Sequence, residues 1–540
     1  MTLGLLGRIR FENPVLSKDL RTRMRGAKAF IVQGAYVGML AVMMGIYYLV
    51  WRLSHAAGAT PMTISSDLGR GLYYMLFETQ AALVALITPA LTAGTITLEH
   101  EQRTYELLAC TRLAPRTIVA GKLLSGWLFV VMLLTCSLPM AALCLMLGGI
   151  SGGEIFWSYI MLCLFALLFG SIGMLWSSLF SRTIAAVLLA YGSVMFYLIA
   201  TVIAEDPTRS GTVHVFNPFV FLTGSTEPLS LSWLGSSTSI PAWLPGLITL
   251  PLAALFFATW AIARAPHFVS ERAPLQRGLL ATLFVLLTLL ALLSQSRGGG
   301  GATSFAIIFT GVAALLVATV FFATGDQPAS RPGSLVAWLL GGPRRLFSSE
   351  LRGGWAFLLV LAALFVITLL LGNALAAGLL PALSIARAKH QASVWQLLSA
   401  AEAAKVFAVL AAVLLCYSAL GALGAALNSR RLGIAFIVVV FVATHLVPGI
   451  LWIDYGSWAN GTEPSAALYS LYLAPYAALT AVGYPDLGNH LPSNLAPPAA
   501  PPLWMGTAIL YFILAVAGFA VAEMAYQLRR RRDAARLQGG

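Results

Sequence analysis

Apolar residues run unbroken for about twenty positions at a time along most of this chain, and its charges collect in the gaps. Such runs do not alternate, so they read as helices long enough to cross a bilayer and not as barrel strands. The pattern predicts twelve spans, at 29–50, 72–98, 122–148, 155–180, 183–204, 243–263, 278–294, 303–323, 354–372, 403–427, 432–453 and 503–527. The run at 278–294 is short. The segment 373–402 fits an outer re-entrant hairpin, a surface helix or part of a longer span. Composition agrees: 59% of the 540 residues are hydrophobic and 10% charged, with a mean hydropathy of +0.84. Soluble domains carry about 25% charge. With lipid as solvent, only helices and closed barrels satisfy the backbone. The expected fold class is therefore an all-α polytopic membrane protein of twelve transmembrane helices.

A net charge of +13 invites a nucleic-acid partner, but the placement of the charges argues for none. With the N-terminus inside and alternating spans, the inner segments hold 26 of the 33 Lys and Arg residues. That is the positive-inside distribution, and it predicts cytoplasmic N- and C-termini. The tail "RRRRDAAR" reads as an anchor to anionic lipid. Four of the five cysteines fall inside spans and Cys110 in an inner segment, so no disulfide is expected. No cleavable signal peptide is expected either.

Two inner segments carry helical pattern. In "FENPVLSKDLRTRMRG", Asn13 can cap a helix that Pro14 starts and Gly26 ends. Leu16, Leu20 and Met24 line one side, and Lys18, Arg21 and Arg25 lie on others. Such a helix should lie in the membrane interface as an anchor, with an elbow that steers the first span as the sharper reading. The second segment is "TITLEHEQRTYELLACTRLAPRTIVAGKLL" at 95–124. Glu99 and Arg103 have the favourable i, i+4 order, and Tyr105, Leu108 and Ala109 share a side. Pro115 interrupts this helix and can start the next, which Lys122 should anchor at the membrane surface.

Fainter echoes pair 344–365 with the N-terminal segment, 172–189 with 420–437, and "GSTEP" with "NGTEP". Their order suggests two related halves, 1–275 and a degenerate 276–540.

The segment at 95–124 resembles the signature of the ABC transporter type-2 permease superfamily. That signature runs acid–x–acid–x–Gly–Thr–x–acid–Leu–Leu, then a Pro-containing turn, then Ile–x–x–Gly–Lys. This chain supplies Glu99, Glu101, Thr104, Glu106, Leu107, Leu108, Pro115, Ile118, Gly121 and Lys122, and departs at Arg103, where the family usually has Gly. The turn "SSLFSRTIAAVLLAYG" resembles the family's connection between the fourth and fifth spans.

The resemblance implies the membrane subunit of an ATP-binding-cassette exporter in the plasma (inner) membrane. A short cytoplasmic coupling helix after the second span, within 99–116, would receive a cytosolic ATPase subunit. The chain has no phosphate-cradling G-x-x-x-x-G-K-[ST] loop, so ATP and Mg would be held by that partner and no cofactor by this chain. A dimeric ATPase needs two docking surfaces, hence a homodimer or a heterodimer with a second permease.

Two other classes compete. An ion-coupled secondary transporter would use Glu78, Glu402, Lys405, His445 and Glu523. An outward-facing, glycosyltransferase-like enzyme would use Asp206 or Asp454.

Overall fold

The computed structural model describes residues 13–54, 61–104, 113–203, 229–233, 236–241, 243–264, 400–426 and 502–538, with isolated positions elsewhere. The chain divides into two compact units: Met1–Glu205 with Thr212–Ser230 and Ser239–Ser270, and Asp206–Gly211 with Leu231–Thr238 and Glu271–Gly540.

The first unit is a helical bundle. Asn13 caps α1 (Pro14–Met24) by accepting from the Val15 and Leu16 N–H groups, and Gly26 follows its end at φ +94°. Then come α2 (Ala27–Ser54), α3 (Pro61–Ala93) and the five-residue α4 (Thr97–Glu101). Pro115 opens α5 (Pro115–Cys136), followed by α6 (Leu138–Leu147), α7 (Gly152–Leu179) and α8 (Thr183–Ile203). A two-stranded hairpin, β1 (Leu229–Trp233) and β2 (Ser236–Ile240), precedes α9 (Trp243–Arg264). This hairpin lies between the expected spans 183–204 and 243–263 and leaves the all-α membrane fold class as expected.

Among the described residues six helical stretches are long and apolar enough to cross a membrane, and five of them belong to this unit. They match the predicted spans at 29–50, 72–98, 122–148, 155–180 and 243–263. The helix α8 carries a shorter apolar stretch where 183–204 is expected. The protein is a multi-pass membrane protein. The predicted spans 303–323, 354–372 and 432–453, and most of 278–294 and 373–402, lie outside the described residues.

The centre of the bundle is α7, which packs against α3, α5, α8 and α9. Lipid does not drive helices together, so small residues that let backbones approach carry the contacts. Gly170 and Gly173 of α7 press on Thr88 and Thr92 of α3, and Gly126 of α5 presses on Thr92 from the other side. Polar groups tie the remainder: Trp127 donates to the Cys163 carbonyl, Trp176 to Ser193, and the Tyr191 hydroxyl to the Leu86 carbonyl. By contrast α2 leaves Phe30, Ile31, Val42, Leu49 and Leu53 exposed, a surface suited to acyl chains.

The third crossing is not one helix. It breaks at Ser137, because Pro139 has no N–H to offer the preceding turn. The turn to α7 passes through Gly149 at φ +81°, where any Cβ would also strike the Ser66 carbonyl. Ser151 then caps α7 by accepting from the Glu154 N–H at 3.2 Å. At this end of the bundle the indoles of Trp157 and Trp243 stack, 3.5 Å apart and 9° from parallel.

In the second unit α10 (Ala400–Ala426) packs along α11 (Leu503–Gln538). The basic tail is a continuation of α11, not a separate segment. Lys405 lies 5.6 Å from the centre of the Trp504 ring, and Glu523 accepts from Gln527 one turn along its own helix.

Candidate functional site at the α4 joint

The charged segment after α3 forms a joint that binds four crossings together. The chain leaves α3 at Ala93, turns through 94–96 and forms α4. Ser177, near the end of α7, accepts from the N–H groups of Ile96 and Thr97 at 2.9 and 3.3 Å. Backbone donors at the start of a helix lack partners within the helix, and this hydroxyl supplies one.

Glu99 does not pair with Arg103. Its Oε1 lies 2.6 Å from Lys122 Nζ on α5, and the same ammonium donates to the Thr95 carbonyl at 3.2 Å. The Lys122 side chain is 5% exposed and that of Glu99 25%. Lys122 is therefore no anchor at the membrane surface. Buried at the base of α5, it needs an anion beside it, and α4 brings one. Glu99 Oε2 is also buried and has no hydrogen-bond partner.

Glu101 reaches the other way. Its Oε1 accepts from the Thr183 N–H, at the first residue of α8, at 2.8 Å. A carboxylate there satisfies an orphan donor and faces the positive end of the helix dipole.

The end of α4 explains the one departure from the family signature. Thr104 N–H donates to the Glu99 carbonyl at 2.9 Å, and Arg103 N–H to the His100 carbonyl at 3.2 Å. These two bonds define a Schellman ending, with Arg103 in its left-handed position at φ +58°. A side chain there costs about 1 kcal/mol that glycine avoids. The helix expected to run on through Arg103 stops at Glu101 for this reason. Arg103 is exposed, so Arg103→Gly should raise stability by about 1 kcal/mol, read as a higher thermal unfolding midpoint of the detergent-solubilised chain.

The N-terminal helix is part of the same construction. Asn13 donates to the Thr117 carbonyl at 2.8 Å, and Asn13 and Val15 sit so close to Gly121 that no side chain would fit there. Arg23 donates to the Leu91 carbonyl on α3 at 3.0 Å. Burial draws its guanidinium below the ordinary value, with Asp19 opposing. Lys18, Arg21 and Arg25 remain exposed, while Met24 does not share the packed side expected of it.

Of the residues in the signature, the structure brings Glu99 and Lys122 into contact and sets Glu101 on α8. Thr104 closes the helix end, Pro115 starts α5, and Gly121 receives α1. Glu106, Leu107 and Leu108, with Tyr105 and Ala109, lie outside the described residues. Sequence reasoning missed Asn13 as a clamp, Arg23, and Ser177. The small polar residues in "WSSLF", at the end of an apolar run, are the signal that was there to find for Ser177.

A search of the curated proteins finds none that matches the chain. A family model described as ABC-2 family transporter protein matches residues 58–264, from the start of α3 to the end of α9 with the joint inside it. Over this stretch the chain is similar to the ABC-2 family of transporter proteins.

Proposed function

We propose that the chain is the membrane subunit of an exporter driven by a separate cytosolic ATPase, which binds ATP and Mg. The observation that carries this reading is the fastening of α4 to four crossings. It is continuous with the second, ion-paired to the third through Lys122, held by Ser177 of the fourth, and caps the fifth through Glu101. A push on this element reaches all four. The segment 99–116 is the docking surface, with Glu106, Leu107 and Leu108 as its landing residues. Glu101 through Thr104 are exposed beside them, whereas Lys122 and Gly121 support the joint from within.

In this reading both termini face the cytoplasm of a cell whose plasma membrane holds the protein. The basic residues Lys18, Arg21 and Arg25 face anionic lipid while α1 steadies α5. A dimeric ATPase engages two such joints, from a second copy or a sibling permease. The degenerate half 276–540 completes the membrane domain. No described contact favours the ion-coupled carrier: Lys405 lies against Trp504, and Glu523 bonds within α11.

The test is reconstitution in proteoliposomes with and without the candidate ATPase. Leu108→Ala and Glu106→Ala should each weaken ATPase co-purification about tenfold, the size of a modest interface hot spot. Transport by the purified chain alone under an ion gradient would refute the proposal.

A further inference from the structure

Ser137, at the break between α5 and α6, gathers polar groups from three other helices inside the bundle. It lies about 22 Å along α5 from Lys122, deep within the crossing. Its Oγ is 2.6 Å from the Leu134 carbonyl, 2.9 Å from Gln80 Nε2 and 2.8 Å from the Tyr159 hydroxyl. Proton counting fixes the direction of each bond. The serine has one proton and the Leu134 carbonyl can only accept, so that proton goes to Leu134. Oγ therefore accepts from the Gln80 amide and from the Tyr159 O–H.

Two valences are left over. With its nitrogen committed to Ser137, the Gln80 amide keeps Oε1 as a free acceptor, buried and without a partner. The Tyr36 hydroxyl, from α2, lies beside Ser137 and Tyr159, close enough to interact with Ser137 but in no contact that meets hydrogen-bond geometry, and it too is buried. Its neighbours have both spent their protons, so it is the free donor of the cluster. Both side chains are more than nine-tenths buried. An unpaired donor and an unpaired acceptor in lipid surroundings are costly apart and complementary together.

We infer that Tyr36, Gln80, Ser137 and Tyr159 form an intramembrane site for a single hydroxyl group. A hydroxyl donates to Gln80 Oε1 and accepts from Tyr36 O–H through one atom. An ammonium cannot accept, a carboxylate cannot donate, and a ketone or ester carbonyl cannot donate. Water and a membrane-soluble alcohol both carry this chemistry. The helix break before Pro139 lies beside the site, and Phe77, edge-on to Tyr159 at 5.0 Å, closes it on an apolar side. The site stands on hydrogen-bond geometry alone and does not depend on the docking surface.

Radiolytic hydroxyl-radical footprinting of the full chain in phosphatidylcholine nanodiscs tests it, because a bound water labels the rings beside it even when bulk solvent is excluded. Tyr36, 5% exposed, should be labelled well above Phe165 and Phe169, which are buried in apolar packing, while the partly buried Tyr159 reports the change between variants. Tyr36→Phe removes the donor and should lower Tyr159 labelling about tenfold, the equivalent of one net hydrogen bond. Gln80→Leu should do the same from the acceptor side. If 1-dodecanol suppresses the labelling and dodecane does not, a membrane-borne hydroxyl takes the site. If neither suppresses it, the occupant is a resident water. Labelling of Tyr36 no stronger than that of Phe165 and Phe169, or labelling of Tyr159 unchanged in Tyr36→Phe, overturns the inference.

Discussion

Lys122→Met is expected to destabilise the protein by about 3 kcal/mol, because it leaves the Glu99 carboxylate beside a buried apolar chain without its cation. The ammonium also holds the Thr95 carbonyl, so the turn entering α4 loses two ties at once. Removing both charges is a different experiment. The double variant Glu99→Gln, Lys122→Met should recover most of the loss, since two neutral side chains of similar size need no ion pairing. Thermal unfolding in detergent, followed by tryptophan fluorescence, reads both. A single variant within about 0.5 kcal/mol of the parent would mean that water reaches the pair and that its worth is that of a surface ion pair. The double variant serves a second purpose. If it is as stable as the parent yet fails to stimulate a bound ATPase, the pair transmits force and does not merely hold the fold.

Gly173→Ala is expected to cost about 2–3 kcal/mol, a large loss for one methyl group. The added carbon would strike Thr92 Oγ1 and come within 3.3 Å of the Ala93 backbone nitrogen. Thr92 cannot simply turn aside, because its hydroxyl is bonded to the Thr88 carbonyl at 3.1 Å. The clash must therefore separate α7 from α3, where α3 ends and the joint begins. Gly192 on α8 is the control. Nothing lies within 4 Å of its added carbon, so Gly192→Ala should be neutral or should stabilise by up to about 1 kcal/mol through helix propensity alone. Equal effects at the two positions would refute the close packing assigned to Gly173.

The crossings among the described residues were legible because lipid imposes a simple rule: an unbroken apolar run must be a helix, and its length sets where it ends. The caps were legible for a similar reason. Asn13 and Pro14, and Pro115 at the head of α5, act on groups within one turn of themselves, so local sequence contains the whole interaction. The joint was only half legible. Its charges marked it out, but the partner assigned to Glu99 was its neighbour Arg103, whereas the actual partner is 23 residues away on another helix. Periodicity on one helix cannot report a contact between two. Arg103 misled for a related reason: arginine favours helix interiors, and the chain places it in a glycine position dictated by the backbone bonds of Glu99 and His100. The break at Ser137 was hidden by the greasiness of its surroundings, since α5 and α6 read as one apolar run. Pro139 was visible, yet Pro89 sits inside α3 without ending it, so proline alone does not mark a break.

The stacked pair Trp157 and Trp243 gives the bundle an asymmetry that bears on how it can be manipulated. One end is fastened by ions and carboxylate caps, the other by two faces of aromatic carbon. Raising ionic strength weakens the exposed Glu101 tie to α8 and leaves the indoles untouched. Oxidising the indoles would slacken the fourth and sixth crossings where they meet and spare the charges. The two extremities thus answer to separate reagents, and a motion that begins at either one can be provoked without disturbing its opposite.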